Sequence, residues 1–595
     1  MRWGPTSLHA APGALRTRAG ALGLTLGLTL GGCYSGAQPE SGDASAGDTE
    51  ATTGSGSASG STGSASASAG SASAGESESE GDTDDAPPAF EPGSPVFPRL
   101  TESQYRNAIT GLFPGPLPRP PLEPDTNPYL FYSIGAASTV VSESGVENYE
   151  EAANAIAEAV FADPARRDAL LGCVPEAVAD ACVDGFLAAF GRRAYRRPLT
   201  EEERARWLGI ASSLADGDPY IGVKMAVMGI LQSPHFLYRV ELGEADPEAP
   251  GRRRFTSYEM AGRLSFLIWN SGPDDELLDA AAADELLSEL GITAQVQRML
   301  DDPRARIAIQ DFFAQFLDLG RLSGVDRDPL RYPLYHPALP EIMRTEVELL
   351  VDDLVYRQGG DIRELFTTRS TFVNSDLAAL YGVDAPGATP ITFVPVELPS
   401  DGPRAGLLTL GAFLTMNAHA TETSPTLRGK YVRERVLCET VPPPPPGVNT
   451  DIPDDDGEAH TLRERLEKHR SDPLCAGCHA SIDPPGFLFE HFDSVGNYRL
   501  LDNGYPIDAS GDLDGSALSG ARDLAERLKD DKRVGNCIVT QLYRHAESRL
   551  NEPQELPGLK AIQASFAESG YRFRDLILIL ATSEAYRTVA EEVDP

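Results

Sequence analysis

The chain has 595 residues and a formal charge of −38, with 89 acidic side chains against 51 basic ones. That length holds several domains and a large apolar core. The charge argues against a nucleic-acid partner, because phosphate binding needs a cationic surface, and it repels anionic lipid, so membrane attachment needs another cause.

Such a cause stands at the start. Arg2, Arg16 and Arg18 precede the apolar run ALGLTLGLTL, which meets GGCYSG. A basic stretch, a short apolar stretch and small residues mark an export signal, and the run is too short to span a bilayer comfortably. Leu30-Gly31-Gly32-Cys33 is similar to a bacterial lipoprotein box. Residues 1–33 are read as a lipoprotein signal, with Cys33 the lipidated first residue of the mature chain. An ordinary secretory signal with a chance cysteine is the other reading. The expected location is the outer membrane or periplasm, with the cell surface also open, and membrane contact runs through the N-terminal lipid only. Residues 34–92 are read as a disordered Ser/Gly/Ala/acidic tether. Its first part, 34–90, carries ten Asp or Glu and no Lys or Arg, and its low-complexity run cannot bury enough surface to offset chain entropy.

Beyond the tether the signal is helical, and the fold expected is mainly α: a multi-helical body with few short strands and a cytochrome-c-like C-x-x-C-H segment towards the C-terminus. Capping boxes are predicted at Thr101/Gln104, Thr200/Glu203, Thr256/Glu259 and Thr461/Glu464. Leu100 with Tyr105 and Phe255 with Met260 are placed to form staples. Val296, Met299 and Leu300 form one apolar stripe; Ile309, Phe312, Phe313 and Phe316 form another, and Pro303 separates the two helices. A short strand is expected near TPITFVPVEL and a hairpin near 498–514. Breaks fall at 244–254, 384–390 and 442–457, the last opening on five prolines that make a stiff spacer.

Seven cysteines need accounting. With Cys33 assigned to lipid, Cys173, Cys182, Cys438 and Cys537 are disulfide candidates in an exported chain. Local pairing of Cys173 with Cys182 leaves Cys438 and Cys537 to staple the segments on either side of the remaining two. Retention as reduced core residues is the alternative. Cys475 and Cys478 belong to Cys475-Ala476-Gly477-Cys478-His479. C-x-x-C-H is the attachment signature of c-type haem: two thiols add to the two vinyl groups and the following His becomes the proximal iron ligand. A zinc site would need more Cys or His at finger-like spacing, and no second C-x-x-C exists; a Cys475–Cys478 disulfide is also open. One covalent haem c is the favoured reading, with His479 as proximal ligand. In the following IDPPGF, a carbonyl near Pro484 or Pro485 is expected to take the other ring N–H of His479, with Gly486 permitting a turn. For the sixth iron position His419 is the candidate and Met416 the alternative, with His491 and His545 further away. His469 lies too close to the motif to reach the opposite face.

SGDLDGS has the look of a calcium loop, but Ala521 stands where the bidentate Glu belongs, so a turn is expected. No G-x-S-x-G, H-E-x-x-H or Walker-type loop occurs, and no hydrolytic triad is evident.

SPHFLYRVE, GRLSFLIWNSGPDDELL, VQRMLDDPRAR and FVNSDLAALYGV resemble the domain-of-unknown-function 1592 family. RAGLLTLGAFLT, TSPTLRGKYVRERVLC, PPPPPGV, HRSDPLCAGCHASIDPPGFLFEHFD and VGNYR resemble its partner, 1588; the pair is known as planctomycete-type cytochrome-associated domains. LTESQYRNAITGLF is similar to family 1587, FGRRAYRRPLT to 1595, and CIVTQLYRHAESRL to 1585, although AESR departs from the usual ALGR. The segments implied are 93–160 (1587-like), 161–245 (1595-like), 252–385 (1592-like), 400–510 (C-x-x-C-H, 1588-like) and 515–590 (1585-like). The resemblance implies an exported, cytochrome-c-like protein with no established reaction, holding haem through Cys475, Cys478 and His479. The family's Met after the motif is Ile482 here, so that sulfur is not available. Arg428 and Gly429 match the TSPTLRG motif, and Arg428 is expected either to pair with a haem propionate or to form a structural ion pair. The function expected is electron transfer or haem-dependent oxidoreduction with a redox partner that presents a basic face; a non-redox scaffold, in which C-x-x-C-H is a disulfide or metal staple, is the competing class.

Overall fold

The structure, a computed structural model, describes residues 89–247, 249–443, 460–471 and 473–591. The signal with Cys33, nearly all of the tether and most of the proline-rich spacer lie outside the described residues.

Helices dominate, with a few short strands between them. All four predicted capping boxes form: each threonine hydroxyl accepts from the N3 amide while the N3 side chain returns to the threonine amide. Each satisfies two of the backbone donors a helix start leaves open. Pro303 opens its own helix, Pro303–Phe316, capped by Asp302 one residue after the helix Glu289–Asp301 ends.

Two apolar cores organise these helices. The first gathers Leu100, Tyr105, Ile109, Phe190, Trp207, Val227, Ile230 and Phe236 from the segment between residues 100 and 237. The second, larger core runs from Phe131 through Met260, Phe313, Val347 and Phe413 to Tyr543, Phe573 and Tyr586. The helix Ser257–Trp269 serves both, sending Phe266 into the first and Met260, Leu264 and Ile268 into the second. Where the two meet, Arg263 pairs with Glu241 at 2.8 Å and with Glu547, and Glu241 also takes Arg239 at 2.7 Å. Buried charges are tolerated when each is paired in this way.

Strands are short and antiparallel. Arg252–Arg254 lies between Glu244–Ala245 and Thr588–Ala590, so residues 588–590 close against the chain entering the larger core. The expected strand near 390–397 is Val394–Glu397, paired with Ser370–Val373. In place of one hairpin over 498–514 there are two, Leu501–Asp502 with Tyr505–Pro506 and Ser510–Leu513 with Ser516–Ser519; Pro506 has no N–H with which to extend the first ladder. The SGDLDGS stretch is the turn of the second hairpin, with Asp514 at φ 55° and Gly515 at φ 79°. The Asp514 carboxylate is taken by Arg433 at 2.5 Å and Arg533 at 2.6 Å.

Disulfides join Cys173 to Cys182 and Cys438 to Cys537. The second spans 99 residues and brackets the C-x-x-C-H segment.

Candidate functional site

The motif lies on the helix Pro473–Phe487, entered from the helix Leu462–His469. At spacings of three and four residues, Cys475, Cys478 and His479 share one face of that helix. Both thiols are half-buried and neither is in a disulfide.

His479 Nδ1 faces the Asp483 carboxylate at 3.1 and 3.0 Å. A carboxylate accepts only, so Nδ1–H is the donor, and Nε2 is the nitrogen a metal would take. Asp483 has no exposed side-chain surface, accepts from Thr426 Oγ1 at 2.8 Å, and has Arg470 Nε at 4.0 Å. This partner differs from the carbonyl expected near Pro484 or Pro485. The helix does not turn at Gly486 but runs to Phe487 with both prolines inside it. Its carbonyls therefore follow the axis, while the side chain four residues on stands beside the ring. The signal was present as His and Asp at i and i+4, but only with helix through two prolines does it become a contact.

The prolines cost main-chain bonds, and for one of them a side chain supplies the replacement. Pro485 cannot donate to the Ser481 carbonyl four residues back, and Arg433 Nε supplies that bond at 3.1 Å. Arg433 sits on the π-helical turn Val432–Val436, which continues the helix Pro425–Tyr431. That helix presses on the motif helix at backbone distance. A Cβ on Gly429 would stand 1.6 Å from the Ile482 carbonyl oxygen, and one on Gly486 would stand 1.8 Å from that of Pro425.

Arg428 is fully buried on the same short helix. Its Nη1 donates to the carbonyls of Phe489 (3.0 Å) and Phe492 (2.8 Å), and its Nη2 to those of Leu414 (3.3 Å) and Asp493 (2.8 Å), with Glu490 at 3.6 Å. Burial pulls the Arg428 guanidinium down to about 10 and pushes Glu490 up. Both Nη groups are thus taken by main-chain carbonyls, while the buried Nε has no hydrogen-bond partner.

The sixth-ligand candidates occupy different surroundings. His419 is exposed on a turn bridged by Ala418 and Thr423, and Glu422 of that turn pairs with Arg465 on the Leu462–His469 helix at 2.6 Å. Met416 is buried in the larger core. His491 Nδ1 meets the Arg499 carbonyl at 3.0 Å, and His545 is enclosed with Phe131 and Phe312 at centroid distances of 5.1 and 5.5 Å. The His469 side chain lies outside the described residues. Among the described residues no three His, Cys, Asp or Glu side chains converge as a metal cage, and no helix is long and apolar enough to cross a membrane.

Fold and site together define a class: a mainly helical protein of several segments, with a C-x-x-C-H helix locked against a short glycine-bearing helix. Family models of proteins of unknown function match in chain order: DUF1587 over residues 99–162, DUF1595 over 182–241, DUF1592 over 255–383, DUF1588 over 404–502 and DUF1585 over 514–586. The chain belongs to this family of unknown function, and the motif falls in its DUF1588 part. No curated protein and no solved structure matches it.

Proposed function

We propose that the chain is an exported, lipid-anchored protein carrying one covalent haem c, which works in electron transfer or haem-dependent oxidoreduction. The observation that carries this reading is the motif helix itself. Two thiols outside any disulfide stand half-buried beside a histidine whose Nδ1 is already committed to a buried carboxylate. The residues fit the group: Cys475 and Cys478 would form the thioethers, and His479 Nε2 would hold the iron. The short name of the DUF1588 model, PSCyt3, hints at the same association.

When bound, the haem supplies a one-electron iron couple. The chain's own part is orientation. Asp483 fixes the tautomer and ring plane of His479, Thr426 fixes Asp483, and the close helix pair holds both. His419 remains the candidate for the sixth position because it is exposed on a turn tied to the entering helix, whereas Met416 would have to leave the core. The acidic excess suits a redox partner with a basic face.

The test is a pyridine haemochrome spectrum of the full chain, exported together with a cytochrome-maturation system. A c-type band is expected. Colourless protein would leave a scaffold in which the motif is a disulfide or metal staple.

A further inference from the structure

Resting on the haem reading, we infer that Asp483 is a positioning residue that sets the reduction potential of this site, making it a low-potential centre with a strongly electron-donating histidine. A backbone carbonyl, the common partner of a ligating histidine, carries no net charge. Asp483 brings a carboxylate to 3.0 Å of Nδ1 from one helical turn away. It has no exposed surface, so its charge acts with little screening by water. Among the described residues Arg470, at 4.0 Å, is a cation paired with it beyond hydrogen-bond reach, and the Thr426 hydroxyl orients it without adding charge. The contact is also hard to relax. Asp483 sits between Ile482, whose carbonyl abuts Gly429, and Gly486, which abuts Pro425, so neither helix can retreat without opening the pair. An anion held against the ring stabilises the more positive, oxidised iron and raises the basicity of the ligand. The reduced site is then an electron donor to acceptors of higher potential.

The experiment is a mediated redox titration of the haem-loaded full chain, comparing wild type with Asp483→Asn, Asp483→Glu and Thr426→Val. Asp483→Asn is expected to shift the one-electron reduction equilibrium at least tenfold towards the reduced form, about 59 mV in midpoint. Asp483→Glu, which keeps the charge, is expected to stay within about threefold of wild type. Thr426→Val, which lets the carboxylate turn, should shift the same way as Asp483→Asn but less. A haem-loaded Asp483→Asn within twofold of wild type overturns the inference and leaves the haem reading standing. If Asp483→Asn does not fold, an unchanged midpoint in Thr426→Val is the overturning result. A wild-type chain without haem removes both.

Discussion

Arg428 is a residue whose cost and use can be weighed directly. A buried guanidinium is expensive unless its donors are met, and here its two Nη groups meet four main-chain carbonyls from the segments around 414 and 489–493. Arg428→Met would strand those carbonyls and leave buried Glu490 with Arg499 alone, at 3.3 Å, as its cation among the described residues. A loss of about 3–5 kcal/mol is expected in urea unfolding. Arg428→Lys should recover little, because an ammonium does not reproduce the planar fork; a lysine variant as stable as the parent would refute the staple role. Glu346 gives a second residue-scale test. It is buried, accepts from Thr371 Oγ1 at 2.7 Å and Tyr381 Oη at 2.6 Å, and burial pushes it up to about 7. The unfolded chain releases this proton near the ordinary carboxylate value while the folded chain holds it until about 7. Stability from this group is therefore full at acid pH and falls as pH rises through that window, by about 3 kcal/mol in all. Glu346→Gln should abolish the fall, read as the difference in unfolding free energy between variant and parent at pH 5 and pH 8.

At the scale of elements, the motif helix and the helix Pro425–Tyr431 are held together by what their glycines lack. Gly429→Ala or Gly486→Ala places a methyl inside a neighbouring carbonyl, and each is expected to cost about 3 kcal/mol, whereas Gly477→Ala, with nothing within 4 Å, should be neutral or slightly stabilising. Thermal unfolding of the three variants separates close packing from mere helix propensity. The same elements mark what the sequence could tell. Helix starts were legible because a Thr and a Glu or Gln three residues apart act locally, as at Thr256 and Glu259. The helix through Pro484 and Pro485 was not legible, since it depends on Arg433, some fifty positions away, supplying the bond that Pro485 cannot. Without that helix the sequence does not single out Asp483 as the partner of His479, although it stands four residues on. Arg428 was legible as a motif residue, but its burial against four carbonyls comes only from tertiary packing.

Across the whole molecule, the two disulfides hold loops of very different size. Cys438–Cys537 closes 99 residues around the motif, and its removal as Cys438→Ser/Cys537→Ser is expected to cost about 4–5 kcal/mol on chain-entropy grounds. Cys173–Cys182 closes nine and should cost about 3 kcal/mol. Equal losses in guanidinium unfolding would contradict the loop argument. The larger bridge also shows how the architecture treats Cys475 and Cys478: four cysteines pair around the body while these two stay outside any disulfide on one helical face. The most direct measurement is peptide mass spectrometry of the segment containing Cys475 to His479, taken from chain exported with a cytochrome-maturation system. The account predicts a single porphyrin bound through both sulfurs. A peptide carrying a Cys475–Cys478 disulfide, or two unmodified thiols, would contradict it.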